Sequence, residues 1–354
     1  MKMQTRHLSK NTKSRDMGCS EEEIRFLVLE VLGLKEKMPV EINPLSGGGS
    51  QRSFYRARCD NGITVIFMKY DARREENNYY AALNGFLRGI GISVPRIFYH
   101  NTEKCFILME DLGEIDLWHY REATWETRRK YYFKTLKTIR KLHAFRQENL
   151  LYTSVPMAEA FGPALYCWEH NYFLQNFVQA FCRIKMEASD TKALQEELAL
   201  LVDDLAKVTP CLIHRDLQSQ NVMICDDEPV LIDFQGMRYG NPFYDLGSLL
   251  YDPYVPFTDG EREELLNYYY NISELGYDLR TFQKMFRNAS VQRLMQALGA
   301  YGFLGLQNNH PEFLVHIPSG MKNLVNAMNE DTAYSSLKIL VIRCEEAIKR
   351  SLKT

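Results

Sequence analysis

The sequence predicts an α+β fold in two lobes, a small one built on an antiparallel sheet and a larger one that is mostly helical. Three observations carry that expectation. Short apolar runs punctuated by turn residues fill the stretch from Val40 to Met109, as strands do. From Thr124 onward, apolar residues recur at helical spacing instead. A length of 354 residues also exceeds the usual single-domain range, so two lobes are the natural arrangement. The expected boundaries are a disordered basic tail over residues 1–19, a first lobe over 20–110 and a second over 111–354.

The tail carries Lys2, Arg6, Lys10, Lys13 and Arg15 with no apolar stretch behind them, so it reads as neither a signal peptide nor a membrane anchor. Ser20 with Glu23 three residues on makes a capping box ahead of Ile24, Leu27, Val28, Val31 and Leu34, which predicts an opening amphipathic helix. Strands follow at Val40 to Ser46, Ser53 to Cys59 and Ile63 to Tyr70. Asp60-Asn61-Gly62 turns the second into the third. Between the first and second lies Gly47-Gly48-Gly49-Ser50-Gln51-Arg52, a connection whose backbone N–H groups can approach a phosphate closely. A helix over Arg73 to Gly89 ends at Gly91-Ile92-Ser93-Val94-Pro95, and strands at Arg96 to His100 and Lys104 to Met109 complete the small lobe.

Helices are expected at Thr124 to Phe145, Ala164 to Ala188, Thr191 to Lys207, Pro242 to Tyr251, Asp259 to Tyr270, Leu279 to Leu304, Pro318 to Met328 and Tyr334 to Leu352. Hydrophobic residues make up 45% and charged residues 25% of the chain, which argues against disorder and against membrane spanning. A formal net charge of −2 points to neither nucleic acid nor an anionic membrane as a bulk partner. The eight cysteines contain no C-x-x-C pair, so the expectation is a reduced, cytosolic protein. Oligomeric state is not legible.

Chemistry concentrates in LIHRDLQSQNVMICDDEPVLID, Leu212 to Asp233. Two short apolar strands, Val222 to Cys225 and Pro229 to Ile232, flank the acidic turn Asp226-Asp227-Glu228. A hairpin brings its ends together, so Asp216, Asn221 and Asp233 are expected to converge. Two carboxylates and one amide carbonyl suit Mg2+, a hard cation that takes oxygen ligands and completes its shell with water and substrate phosphates.

The H-R-D-x-x-x-x-N spacing, with an aspartate at the end of the next strand, resembles the catalytic loop and metal-binding aspartate of the protein-kinase-like fold. GGGSQRSFYR, the Lys69 strand, GISVPRI, ILMEDLG, IHRDLQSQN, LIDFQ and NPFYDLGSLL follow in the order of the aminoglycoside-phosphotransferase-like branch, which phosphorylates small molecules. The resemblance implies ATP and Mg2+ as cofactors and a small-molecule hydroxyl as acceptor. It makes Asp216 the catalytic base, Asn221 and Asp233 the metal ligands, and Lys69 the partner of the α- and β-phosphates. It implies that Gly47, Gly48, Gly49 and Ser50 cover the phosphates, that Glu76, in preference to Glu75, pairs with Lys69, and that Met109, Glu110 and Asp111 form a hinge whose backbone meets adenine. Asp245, near a helix start, is then either a charge at the helix N-terminus or a brace for the catalytic loop through its backbone N–H groups, and His143, in Leu142-His143-Ala144, reads as a satisfied core histidine rather than a ligand. Gln235 stands where a protein kinase has glycine, and no A-P-E triplet follows, which disfavours a protein kinase.

Within this branch, HRDLQSQN, IDFQG, YDLGSLLYDPY, QRLMQALGAYGFL (Gln292 to Leu304) and HIPSGMKNL resemble the bacterial cell-wall sugar kinases that phosphorylate the anomeric hydroxyl of N-acetylmuramate and N-acetylglucosamine. Charge bears on the same question. Between Arg280 and Asn329 stand Arg280, Lys284, Arg287, Arg293 and Lys322 against Glu312, the wrong balance for a polycationic acceptor and a better one for a neutral or acidic sugar. Such residues can equally be a solvated face. An aminoglycoside- or choline-like kinase, and a nucleotide-binding pseudokinase module, remain the alternatives.

Overall fold

A computed structural model describes residues 20–45, 52–145, 155–328 and 334–351. Its contacts group the chain into two compact units, residues 1–74 with 96–111, and residues 75–95 with 112–354. In chain order the first unit holds helix α1 (Glu21–Val31) and strands β1 (Val40–Leu45), β2 (Arg52–Cys59) and β3 (Thr64–Tyr70). Helix α2 (Glu75–Gly89) belongs to the second unit, and strands β4 (Ile97–Asn101) and β5 (Phe106–Glu110) belong to the first.

The five strands form one antiparallel sheet in the order β1-β2-β3-β5-β4. Ser20 caps α1 by accepting from the Glu23 N–H, as the capping signal predicts. Ile24, Leu27 and Val28 of α1 meet Ala57, Cys59, Val65, Phe67, Phe106 and Leu108 in a buried apolar cluster. The turn at residues 60–62 closes with Gly62 at φ +85°, a conformation open to glycine without steric penalty.

The second unit continues with α3 (Trp125–His143), α4 (Pro163–Phe173), α5 (Ala188–Ala206), β6 (Cys211–Ile213), the hairpin β7 (Val222–Cys225) and β8 (Glu228–Leu231), and β9 (Arg238–Gly240). Helices α6 (Pro242–Leu250), α7 (Asp259–Ile272), α8 (Leu279–Gln307), α9 (Ile317–Ala327) and α10 (Ser335–Ser351) complete it. Its α2 lays Tyr80 on Phe234, ring centroids 4.7 Å apart, and Asn84 donates to the Pro95 carbonyl at 2.8 Å.

Two expectations change. The helix expected over Ala164 to Ala188 is α4 followed by a π-helical segment, Leu174–Phe181, and Arg183 at φ +57° breaks it before α5. The distortion lies where α8 comes closest. A Cβ added at Gly302 would stand 2.4 Å from the Asn176 carbonyl oxygen, and one at Gly299 would stand 3.1 Å from the Phe173 backbone. The pairing of β6 with β9 went unforeseen, because three-residue strands carry no readable periodicity.

Candidate active site

The β7–β8 hairpin turns through Asp226 and Asp227, both at positive φ, the sign pattern of the two-residue turn that matches strand twist. Its register seats Val222 opposite Leu231, so the residues just outside, Asn221 and Ile232, meet: the Ile232 N–H donates to the Asn221 carbonyl at 3.0 Å. His214 adds a second tie, its Nε2 donating to the Ile232 carbonyl at 2.9 Å. The chain between His214 and Asn221 is thereby pinned beside Asp233. Within it, the Asn221 side-chain NH2 donates to the Asp216 carbonyl at 2.8 Å, which reserves its Oδ1 as an acceptor.

Asp233 sits in the left-handed region at φ 60°, ψ 30°, and its Oδ1 accepts from Gln235 Nε2 at 3.1 Å. An amide oxygen and a carboxylate on residues whose neighbours pair across the hairpin are of the kind that suits a divalent cation completing its shell with phosphate and water. No group of three or more His, Cys, Asp or Glu side chains able to hold a metal by themselves occurs among the described residues. A site of this kind would therefore depend on oxygens from its substrate.

Buried carboxylates hold the loop from behind. Asp245, fully buried at the first turn of α6, accepts from the His214 N–H through Oδ2 and from the Arg215 N–H through Oδ1, both at 2.7 Å. His143 Nε2 donates to the same Oδ2 at 3.1 Å, while its Nδ1 lies 2.6 Å from the Tyr269 hydroxyl. Arg215 has φ 78°, unfavourable for a residue with a Cβ, and two charge-assisted bonds to one carboxylate offset that strain. Asp252, also fully buried, does the same further along. Its Oδ2 accepts from the Ser219 N–H at 2.7 Å and the Ser219 hydroxyl at 2.6 Å, and its Oδ1 from the Tyr254 N–H at 3.0 Å. Burial pushes the Asp252 carboxyl up, against the pull of these donors.

Asp216 is the loop's outward carboxylate, its side chain 35% exposed. Arg215 Nη1 lies 3.7 Å from Oδ2 and Arg293 Nη2 lies 3.4 Å from Oδ1. Desolvation pushes its carboxyl up, but the charges of Arg215 and Arg293, then His214 and Arg238, outweigh it and hold the group below the usual range. Asp216 is thus ionised across the neutral range and able to accept a proton. Arg293 and Asp252 carry no local signal of a site role. Both lie in stretches that resemble the sugar kinases, Gln292 to Leu304 and the YDPY run, but only the fold brings them to the loop.

The remaining predicted residues fall as follows. Glu76, in the second unit, faces Arg238 Nη2 at 3.5 Å, and Arg238 also donates to the Gly236 carbonyl at 3.0 Å. Glu75 accepts from the Tyr79 hydroxyl. In the first unit, Lys69 on β3 pairs in register with Ser53 and Phe106, and its Nζ donates to the Lys104 carbonyl at 2.6 Å. The Met109 side chain is buried in β5, and Glu110 accepts from the Arg96 N–H at 2.9 Å. Asp111 is held by Arg56 through a hydrogen bond of 3.1 Å from Nη2 and an ion-pair contact of 2.9 Å to Nε, a grip that does not involve its backbone groups. Gly47, Gly48, Gly49 and Ser50 lie outside the described residues.

A sequence model of the phosphotransferase enzyme family matches residues 41–280. The chain is 24% identical to an N-acetylmuramate/N-acetylglucosamine kinase of Pseudomonas aeruginosa over 304 residues, 84% of this chain and 86% of that one. A protein of the same name from Neisseria meningitidis serogroup B is 23% identical over 276 residues, 75% of this chain and 79% of that one. Among solved structures, choline kinase LicA from Streptococcus pneumoniae superposes with a TM-score of 0.59 at 15% identity, covering 86% of this chain and 99% of that one. ADP-bound aminoglycoside phosphotransferase APH(2'')-Ib does so with a TM-score of 0.54 at 14% identity, covering 87% and 98%. These two likenesses bear out the kinase-like α+β fold.

Proposed function

The chain belongs to the phosphotransferase enzyme family, and from that premise we propose that it is an ATP- and Mg2+-dependent kinase acting on the anomeric hydroxyl of an N-acetylated amino sugar. That it is a small-molecule kinase follows from the family and from its relatives. The amino sugar is the reading that the named relatives and the charge around Asp216 favour.

In this reading Asp216 orients the acceptor hydroxyl and takes its proton as the oxygen attacks the γ-phosphorus. The bond from that phosphorus to the bridging oxygen breaks, and ADP leaves with the electron pair. Asn221 and Asp233 would hold the metal ion, which when bound would neutralise phosphate charge. Lys69 binds the α- and β-phosphates; the 47–50 loop and the backbone of 109–111 hold the nucleotide. Catalysis is then mostly positioning, for which Asp245 and Asp252 supply a rigid loop.

The observation that carries the acceptor class is the pair of guanidinium groups, Arg215 and Arg293, within 4 Å of the Asp216 carboxylate. One carboxylate beside two fixed cations repels a polycationic acceptor and tolerates a neutral or anionic one. The test is incubation with ATP, Mg2+ and a panel of N-acetylglucosamine, N-acetylmuramate, their alditols, choline and kanamycin, with product NMR. Phosphorylation at the anomeric position of the sugars, absent from the alditols, is expected. A higher kcat/KM for kanamycin or choline than for either sugar, or an alditol as good as its parent, overturns it. No helix among the described residues is long and apolar enough to cross a membrane, and we place the enzyme in the cytosol.

A further inference from the structure

Arg293 lies on α8, far in sequence from the catalytic loop, yet it is 5% exposed and its guanidinium makes directed contacts. Nε donates to the Ser248 hydroxyl at 3.3 Å, Nη1 to Gln296 Oε1, and Nη2 to Asp216 Oδ1 at 3.4 Å. Its Cζ stands 5.9 Å from the centre of the Tyr244 ring. Two of those four partners, Ser248 and Tyr244, are on α6, which also carries Asp245 and so holds the loop backbone. Helices α6 and α8 approach closely enough for this because Gly247 has no side chain. A Cβ there would meet the Ser290 Cα at 2.9 Å, one turn before Arg293.

A buried arginine has a high desolvation cost unless its N–H groups are satisfied, and a stable core needs no such group here. Arg293 spends its fork on two neutral anchors and one carboxylate, and that carboxylate is the outward one of the loop. We propose that Arg293 is the positioning residue of the general base: it fixes the side chain of Asp216 toward the acceptor. This rests on the assignment of Asp216 as base. It explains the Gln292 to Leu304 run physically. Gln292 is buried between Glu169 and His170 behind the loop, Arg293 reaches the loop, and Gln296 holds Arg293.

The experiment measures kcat per folded molecule, KM for sugar and ATP, and urea unfolding for Arg293→Gln, Arg293→Lys and Asp216→Asn. Arg293→Gln is expected to lower kcat about 10²-fold with both KM values nearly unchanged. Arg293→Lys keeps the charge and loses the fork, so its kcat falls roughly tenfold. A purely structural arginine would lower stability and leave kcat per folded molecule in place. Should Arg293→Gln fail to fold, Arg293→Lys decides, since full wild-type kcat in that variant overturns the proposal. So does wild-type kcat per folded molecule in Arg293→Gln when Asp216→Asn is inactive, a result that leaves the base assignment standing. Wild-type turnover by Asp216→Asn removes the base itself and the proposal with it.

Discussion

The two compact units bury charge for different ends. In the first, an apolar cluster centred on Phe67 and Phe106 carries the packing, and the buried Arg56–Asp111 pair secures the end of β5 to β2. In the second, Asp245, Asp252 and Arg293, all under a tenth exposed, bond the 214–219 loop directly, and buried His143 reaches it through Asp245. Burying polar groups is unfavourable unless each is satisfied. Concentrating them around one loop therefore marks the loop as the thing being held. Arg215 and Asp233, both at positive φ, are the strained backbone that this scaffolding over-determines.

The largest effect that separates the units is chemical. Asp216→Asn keeps the shape of the second unit and removes the proton acceptor, so kcat is expected to fall about 10²- to 10⁴-fold with nucleotide affinity and melting temperature unchanged. Titration of ADP with Mg2+ alongside steady-state kinetics checks this, and loss of binding with turnover preserved breaks the assignment.

Next come the two buried acids and bases that differ in purpose. Asp245→Ala strands two backbone N–H groups, and Arg56→Ala removes the guanidinium beside buried Asp111; each is expected to destabilise by about 3–5 kcal/mol, read by urea unfolding. The contrast lies in activity per folded molecule. Asp245→Ala loses kcat well beyond its loss of folded fraction, whereas Arg56→Ala keeps it. Equal kcat losses would erase the distinction drawn between the units.

A smaller, pH-dependent effect belongs to Glu169. Burial raises its carboxyl from 4.5 to about 7, against bonds from Gln292 and Tyr244. The folded protein thus holds a proton that the unfolded chain releases, so this contribution to stability is full below pH 4.5 and is lost as pH rises to about 7. Glu169→Gln, which mimics the protonated form, is expected to gain melting temperature relative to wild type across that window and to be level with it below. A difference independent of pH would place the proton elsewhere.

The smallest effect is at the hairpin tip. Lys134 bridges Asp227 and Glu228 at 3.0 and 2.7 Å, all three at the solvent margin. Lys134→Ala is expected to leave kcat untouched and to move melting temperature barely beyond error, because exposed ion pairs contribute little and salt screens them. A large loss would mean that the turn, and not only the buried acids, sets the hairpin.

What could be read in the chain itself was whatever local chemistry encodes. Asp60-Asn61-Gly62 specifies a tight turn, Ser20 with Glu23 specifies a helix start, and each strand of the five-stranded sheet begins and ends within two residues of its expected place. The hairpin around Asp226 and Asp227 announced that Asn221 and Asp233 are neighbours, because strand pairing fixes register over a few residues. Asp245 as a brace followed from the kinase-like resemblance, and His143 as a satisfied core histidine from its apolar neighbours Leu142 and Ala144. The π-helical turn at 174–181 was not, because it answers to Gly299 and Gly302 more than a hundred residues later. Nor was the destination of any long-range side chain. Glu76 meeting Arg238, Ser219 meeting Asp252 and Arg293 meeting Asp216 join residues 162, 33 and 77 positions apart. Periodicity says which face of a helix is apolar, but which single polar group points from that face into a loop depends on how closely two helices pack. Here that spacing is decided by the missing side chain of Gly247 against Ser290.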